Sequence, residues 1–124
     1  MKVLLSIRPE YADRIFKGEK KYEYRKTLFK REDVDTVIVY ATKPVGKVIG
    51  EFKIDSIMED NPINIWEKTK LYSGIDKNVY TEYFAGREKG FAISIKKTRI
   101  YKKPLELEEL NFNIKCAPQS FMYI

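Results

Sequence analysis

The sequence predicts an α+β fold, mostly β: a small barrel of about six mainly antiparallel strands with three or four short helices at its periphery. Three observations carry that expectation. Strand-length apolar or alternating segments recur along the chain. The helical segments are short and inserted between strands, which argues against a doubly wound parallel sheet. Hydrophobic residues make up 44% of 124 residues, enough for one core, and closure of a barrel would hide the strand edges. No repeat, linker or low-complexity tract divides the chain, so residues 1–124 read as one domain.

The elements follow in order. "KVLLSI", residues 2–7, is a short buried strand. Pro9 suits the first turn of a helix, and Tyr11, Ala12, Ile15 and Phe16 recur on one face. Gly18 stands where a left-handed cap would end a helix over residues 9–17. The period then becomes two: Tyr22 and Tyr24 point one way, Lys21, Glu23 and Arg25 the other. "DTVIVYA", 35–41, is a continuous β-branched strand, and Pro44 and Gly46 mark a turn. "KVIGEFKIDSIM", 47–58, alternates, with Gly50 interrupting its apolar face as a bulge or barrel bend. Asn61 before Pro62 caps a helix carrying Ile65 and Trp66, which stops by Gly74. A second short helix spans about Asp76 to Phe84 and is closed by Gly86. "GFAISIKKTRIYKKP" is a strand, "PLELEEL" a turn of helix, and the end of "CAPQSFMYI" a last strand. Trp66, Tyr72, Tyr80 and Tyr83 read as core, and Cys116 as a small buried hydrophobe.

Composition narrows the chemistry. With no histidine and one cysteine, a Ser-His-Asp or Cys-His mechanism, a zinc site and an internal disulfide are all excluded. No metal or cofactor is called for by any motif. The apolar run Val3–Leu5 is too short for a signal segment or a membrane span, so a cytoplasmic protein with no membrane partner is expected. A formal charge of +6 favours anionic partners, moderately, since 18 acids dilute 24 bases.

Charge concentrates in "GEKKYEYRKTLFKR", 18–31, with six Lys or Arg, two Glu and three aromatics. In a strand, Glu23 and Arg25 are same-face neighbours about 7 Å apart. With Lys20 just before them they form either an ordinary cross-strand surface pair or a carboxylate held between cations. The latter could accept from a base amino group while the cations meet phosphate. Ser6 and Arg8 in "SIRP" stand where a strand meets a helix start, an anion seat or merely a capped end. "KKTRIYKK", 96–103, places Lys96, Lys97, Arg99 and Lys102 around Tyr101 with no acid among them. It reads as a peripheral nucleic-acid platform or a strand edge blunted by lysine.

Taken together, "LLSIRPEYADRIFKGEKKYEYRK" resembles the opening of the ASCH family, a branch of the PUA-like superfamily. The Gly-x-Lys-x-x-Glu-x-Arg signature falls on Gly18, Lys20, Glu23 and Arg25. "VIVYATKPVGKVIGEFKI", "YSGI", "EYFAGREKGFAISI" and "APQSFMYI" extend the similarity nearly end to end. The resemblance implies a PUA-like pseudo-barrel of five or six strands with a cleft between barrel and first helix. It implies RNA or nucleotide binding there, in RNA metabolism or in translation or transcription regulation. Carried over, Ser6, Arg8, Lys20, Glu23 and Arg25 line the cleft, with Thr42, Gln119 and Ser120 completing it, while Tyr83 and Gly86 are packing and turn positions. One branch is similar to an amidohydrolase acting on acetylated cytidine. Its signature has Thr where this chain has Glu23, which weakens that carry-over. Other relatives are proposed to be ribonucleases; in an enzyme of either kind Lys20 and Glu23 are the catalytic candidates. A protein partner bound through an acidic segment is the third possibility.

Overall fold

A computed structural model describes the whole chain, Met1–Ile124. Six strands form one sheet: β1 (Lys2–Ile7), β2 (Tyr22–Arg25), β3 (Thr36–Ala41), β4 (Lys47–Asp60), β5 (Gly90–Leu105) and β6 (Phe121–Tyr123). Four α-helices accompany them: α1 (Pro9–Phe16), α2 (Pro62–Thr69), α3 (Lys77–Tyr83) and α4 (Leu107–Leu110). A 3-10 turn, Lys70–Tyr72, extends α2. None of the helices is long and apolar enough to cross a membrane.

The strand order is β2-β5-β4-β3-β1-β6, antiparallel throughout except for β1 beside β3. The parallel pair is the most buried part of the sheet. Val3, Leu5 and Ile7 lie in register with Val37, Val39 and Ala41, all in one core cluster. This is where continuous apolar runs are expected, because both faces are covered. Helix α1 lays Ala12 and Ile15 onto that cluster, and Gly18 at φ +81° turns the chain into β2. A second cluster, Tyr24, Ile65, Tyr80, Phe84 and Ala92, fixes α2 and α3 against β2 and β5.

Gly50 does sit at a register break between β4 and β5. A Cβ there would lie 2.6 Å from both the Arg99 carbonyl oxygen and Phe16 Cζ. Gly50→Ala is therefore expected to destabilise by about 1–3 kcal/mol through overpacking, read as a lower denaturant midpoint with an unchanged slope.

The small, mainly antiparallel barrel expected from the sequence is present as a curled half-barrel of six strands, whose edges β2 and β6 are not paired to each other. Side chains bridge the gap instead. Arg25 Nη2 of β2 donates to the Ser120 carbonyl beside β6 at 2.6 Å, and Phe29 packs edge-on to Phe121. Two expectations need correction. Tyr72 is 49% exposed, because the 3-10 turn rotates its ring outward beneath the Lys21 ammonium. Cys116 is exposed: Ile114, two residues before it, takes the buried position in that irregular segment.

Candidate functional site

A cleft of about 640 Å³ opens between the end of β1, the start of α1, strand β2 and helix α3. Period-two geometry puts Glu23 and Arg25 on one side of β2, and both line it. Ser6 and Arg8 enter from the β1–α1 junction, and Lys20 from the turn before β2. Five of the eight cleft positions expected from the sequence thus converge. The other three do not line it. Thr42 opens the turn after β3, its N–H bonded to the Ile7 carbonyl; Gln119 is exposed; Ser120 contributes its carbonyl to Arg25. The basic run Lys96, Lys97, Arg99 and Lys102 is exposed on β5, outside the cleft.

Lys20 is the unusual group. It is only 2% exposed, and its ammonium donates to the Ser73 carbonyl at 2.7 Å. Its Nζ stands 4.7 Å from the Tyr24 ring centre and 5.6 Å from that of Tyr11. A segment from across the chain builds this seat. The carbonyls of Tyr72, Ser73 and Gly74 accept in turn from the Lys21 N–H, Lys20 Nζ and Arg14 Nη1. Gly74, at φ +67°, has no room for a Cβ against the Lys20 side chain. Burial pulls the Lys20 pKa down to about 8; the Glu23 carboxylate opposes that fall and Arg14 adds to it.

Glu23 is 6% exposed, and its Oε2 accepts from Arg25 Nη1 at 3.2 Å. No protein donor bonds its other oxygen, and no buried side-chain polar atom is left without a partner, so Oε1 has access to the cleft. Arg25 is committed on two sides, to Ser120 and to Glu23, and lies 3.5 Å from the Ser6 carbonyl. It fixes Glu23 and the sheet edges rather than offering a free fork. The Ser6 hydroxyl donates to the Pro118 carbonyl at 2.8 Å, leaving its oxygen to accept. Arg8 caps α1 through its backbone alone, its carbonyl accepting from the Tyr11 and Ala12 N–H groups, and its exposed guanidinium has no protein partner.

The far wall is the part that the sequence reading missed. Ile75, Asn78, Val79, Glu82 and Tyr83 line the cleft, spaced as one face of α3 and the turn before it. Tyr80 and Phe84, on the opposite face, fill the core. The signal was present: two polar residues interrupt an apolar stripe, which a core-facing stripe has no reason to do. The Tyr24 hydroxyl faces away from this chemistry. Thr69 Oγ1 donates to the Ile65 carbonyl, so Tyr24 is the donor in its 2.7 Å bond to Thr69. Burial raises the Tyr24 pKa to about 12.

The ASCH domain family's sequence profile matches residues 5–99. The chain belongs to the ASCH domain family. This ASCH domain is 27% identical over 126 residues to the ASCH domain-containing ribonuclease of Zymomonas mobilis, covering 98% of this chain and 82% of that one. A crystal structure of ASCH from Zymomonas mobilis superposes with a TM-score of 0.90 at 26% identity, over 99% of this chain and 87% of that one. This chain is also 33% identical over 123 residues to the large ribosomal subunit protein uL22 of Ureaplasma parvum. That match takes in 98% of this chain but spans only 39% of the ribosomal protein.

Proposed function

We propose that this ASCH domain binds RNA, seating one nucleotide in the cleft, and acts in RNA metabolism. The observation that carries the reading is the convergence of an unpaired Arg8 guanidinium, the Lys20 ammonium and the free oxygen of Glu23 in one concavity. Tyr11, Tyr83, Ile75 and Val79 supply ring faces and apolar surface for a base, Arg8 and Lys20 meet phosphate, and Glu23 Oε1 accepts from a base donor. Arg25 holds Glu23 in place. That a similar chain is a ribonuclease supports RNA as the ligand.

Backbone-amide NMR with nucleoside monophosphates and short RNAs tests this. Resonances of Arg8, Tyr11, Lys20, Glu23 and Val79 are expected to shift together and saturably. Shifts confined to other residues, or none at low salt, would overturn it.

One observation favours a second reading, RNA cleavage. A lysine that only attracts phosphate gains nothing from burial, whereas one near pKa 8 can both hold and give up a proton near neutral pH. Glu23 Oε1 would take the proton of a ribose 2′-hydroxyl as its oxygen attacks the adjacent phosphorus. As the bond to the 5′-oxygen breaks, Lys20 would give that oxygen a proton. The products are a 2′,3′-cyclic phosphate and a free 5′-hydroxyl. The kcat/KM, which reports the free protein, then falls as pH rises through about 8 and the acid is lost. A kcat/KM flat across that range would remove Lys20 from the role of acid.

A further inference from the structure

Strand β2 covers β5 only from Phe91 to Ser94, and the last bond between them runs from the Ile95 N–H to the Lys21 carbonyl. Beyond it, β5 is paired on one side alone, by β4. This free edge carries Lys96, Lys97, Arg99, Lys102 and Lys103, all exposed, and none is in an ion pair. The carboxylate opposite Arg99 in register, Glu51, is already taken by the Tyr101 hydroxyl at 2.8 Å and by Lys2. Elsewhere cations do find carboxylates, as Lys17, Arg31, Lys70 and Lys89 show.

The pairing with β4 shifts register three times, and at two of the shifts the extra residues lie on β5 and include cations. Phe52 pairs with Thr98 and Lys53 with Lys96, so Lys97 is extra, at φ +49°. Val48 pairs with Leu105 and Gly50 with Ile100, so Lys102 and Lys103 fall within the second excess. A positive φ at a residue other than glycine is a strained conformation that the surrounding structure must hold in place. Bulges of this kind re-aim side chains out of the ladder.

We infer that the free edge of β5 is a second binding surface, which grips the phosphate backbone of a single RNA strand without reading its sequence. The inference extends the cleft reading but stands on separate residues. The cations run along one strand for roughly 20 Å, enough to follow several phosphates of one chain. The edge begins beside Lys21, next in sequence to the cleft's Lys20, so one strand can engage both.

The test compares Lys97→Gln/Arg99→Gln/Lys102→Gln/Lys103→Gln, Lys20→Met and the parent chain. Each binds a labelled 12-nucleotide poly-U across 50–200 mM salt, after circular dichroism confirms folding. The edge variant is expected to lose at least tenfold in affinity at low salt. Its slope of log affinity against log salt should fall by about 3, roughly 0.7 per cation removed. Replacing the same four positions with arginine or lysine of the other kind should restore both. The Lys20 variant should keep the slope within about 1 of the parent. An edge variant with the parent's affinity and slope would overturn the inference, and self-association by light scattering would then show the lysines to be guards against edge pairing. Loss in the edge variant without loss in the Lys20 variant would sustain the edge and remove the cleft.

Discussion

Lys20→Met is expected to give a protein that is more stable at neutral pH and at least tenfold weaker for RNA. Unfolded, the lysine has its ordinary pKa of 10.5; folded, it titrates at about 8. The unfolded chain therefore binds more protons between those values, and the stability of the parent rises with pH across that window. Below pH 8 the buried charge costs about 3 kcal/mol, from a shift of that size at about 1.4 kcal/mol per unit. Methionine removes the cost but leaves the Ser73 carbonyl without its donor, a loss of about 1–3 kcal/mol. The net gain at pH 7 is about 1 kcal/mol, and it disappears as pH rises from 8 to 10. Denaturant melts at several pH values would show the parent's upward slope and its absence in the variant. The weaker binding follows from losing a charge-assisted hydrogen bond, about 1.5–3 kcal/mol or roughly 10–100-fold. Such a pairing of gained stability with lost binding is what a functional strain predicts, and a purely structural lysine would not give it.

Arg25→Met is expected to do the opposite, costing about 3–5 kcal/mol in stability, a fall in Tm on the order of 10 °C. The guanidinium pairs with a carboxylate that is nearly buried and holds the Ser120 carbonyl across the open side of the half-barrel. Removing it leaves the nearly buried Glu23 carboxylate without its ion-pair partner, and lets β6 come away from β2. Glu23→Gln/Arg25→Met should recover part of the loss, since no unpaired charge remains. Arg25→Lys should fall between, as an ammonium lacks the fork that reaches two partners. An Arg25→Met protein as stable as the parent would mean that the residue serves a ligand and not the frame.

Much of this was legible in the chain itself. The alternation of Tyr22, Glu23, Tyr24 and Arg25 put the carboxylate and guanidinium on one face, and the turn residues Gly18 and Gly50 marked where helix and strand must bend. What could not be read were relationships set by distant segments. The burial of Lys20 depends on carbonyls more than fifty residues away, which no local pattern encodes. Arg25 looked like a free phosphate ligand because its acceptor at Ser120 lies across the unclosed sheet. Tyr72 matched a helical period, yet the helix tightened to a 3-10 turn before reaching it and the ring swung outward. The α3 wall was hidden for a different reason: spacing tells which residues share a face, but not whether that face meets a core or a cleft.

The central claim is that the Lys20 ammonium, desolvated in the cleft, is where RNA phosphate arrives. Heteronuclear NMR titration of the Lys20 side chain, with and without a short RNA, tests it most directly. A midpoint near 8 in the free protein, moving upward when RNA brings a negative charge beside it, is the predicted result. An ordinary lysine midpoint, indifferent to RNA that is demonstrably bound, would contradict it.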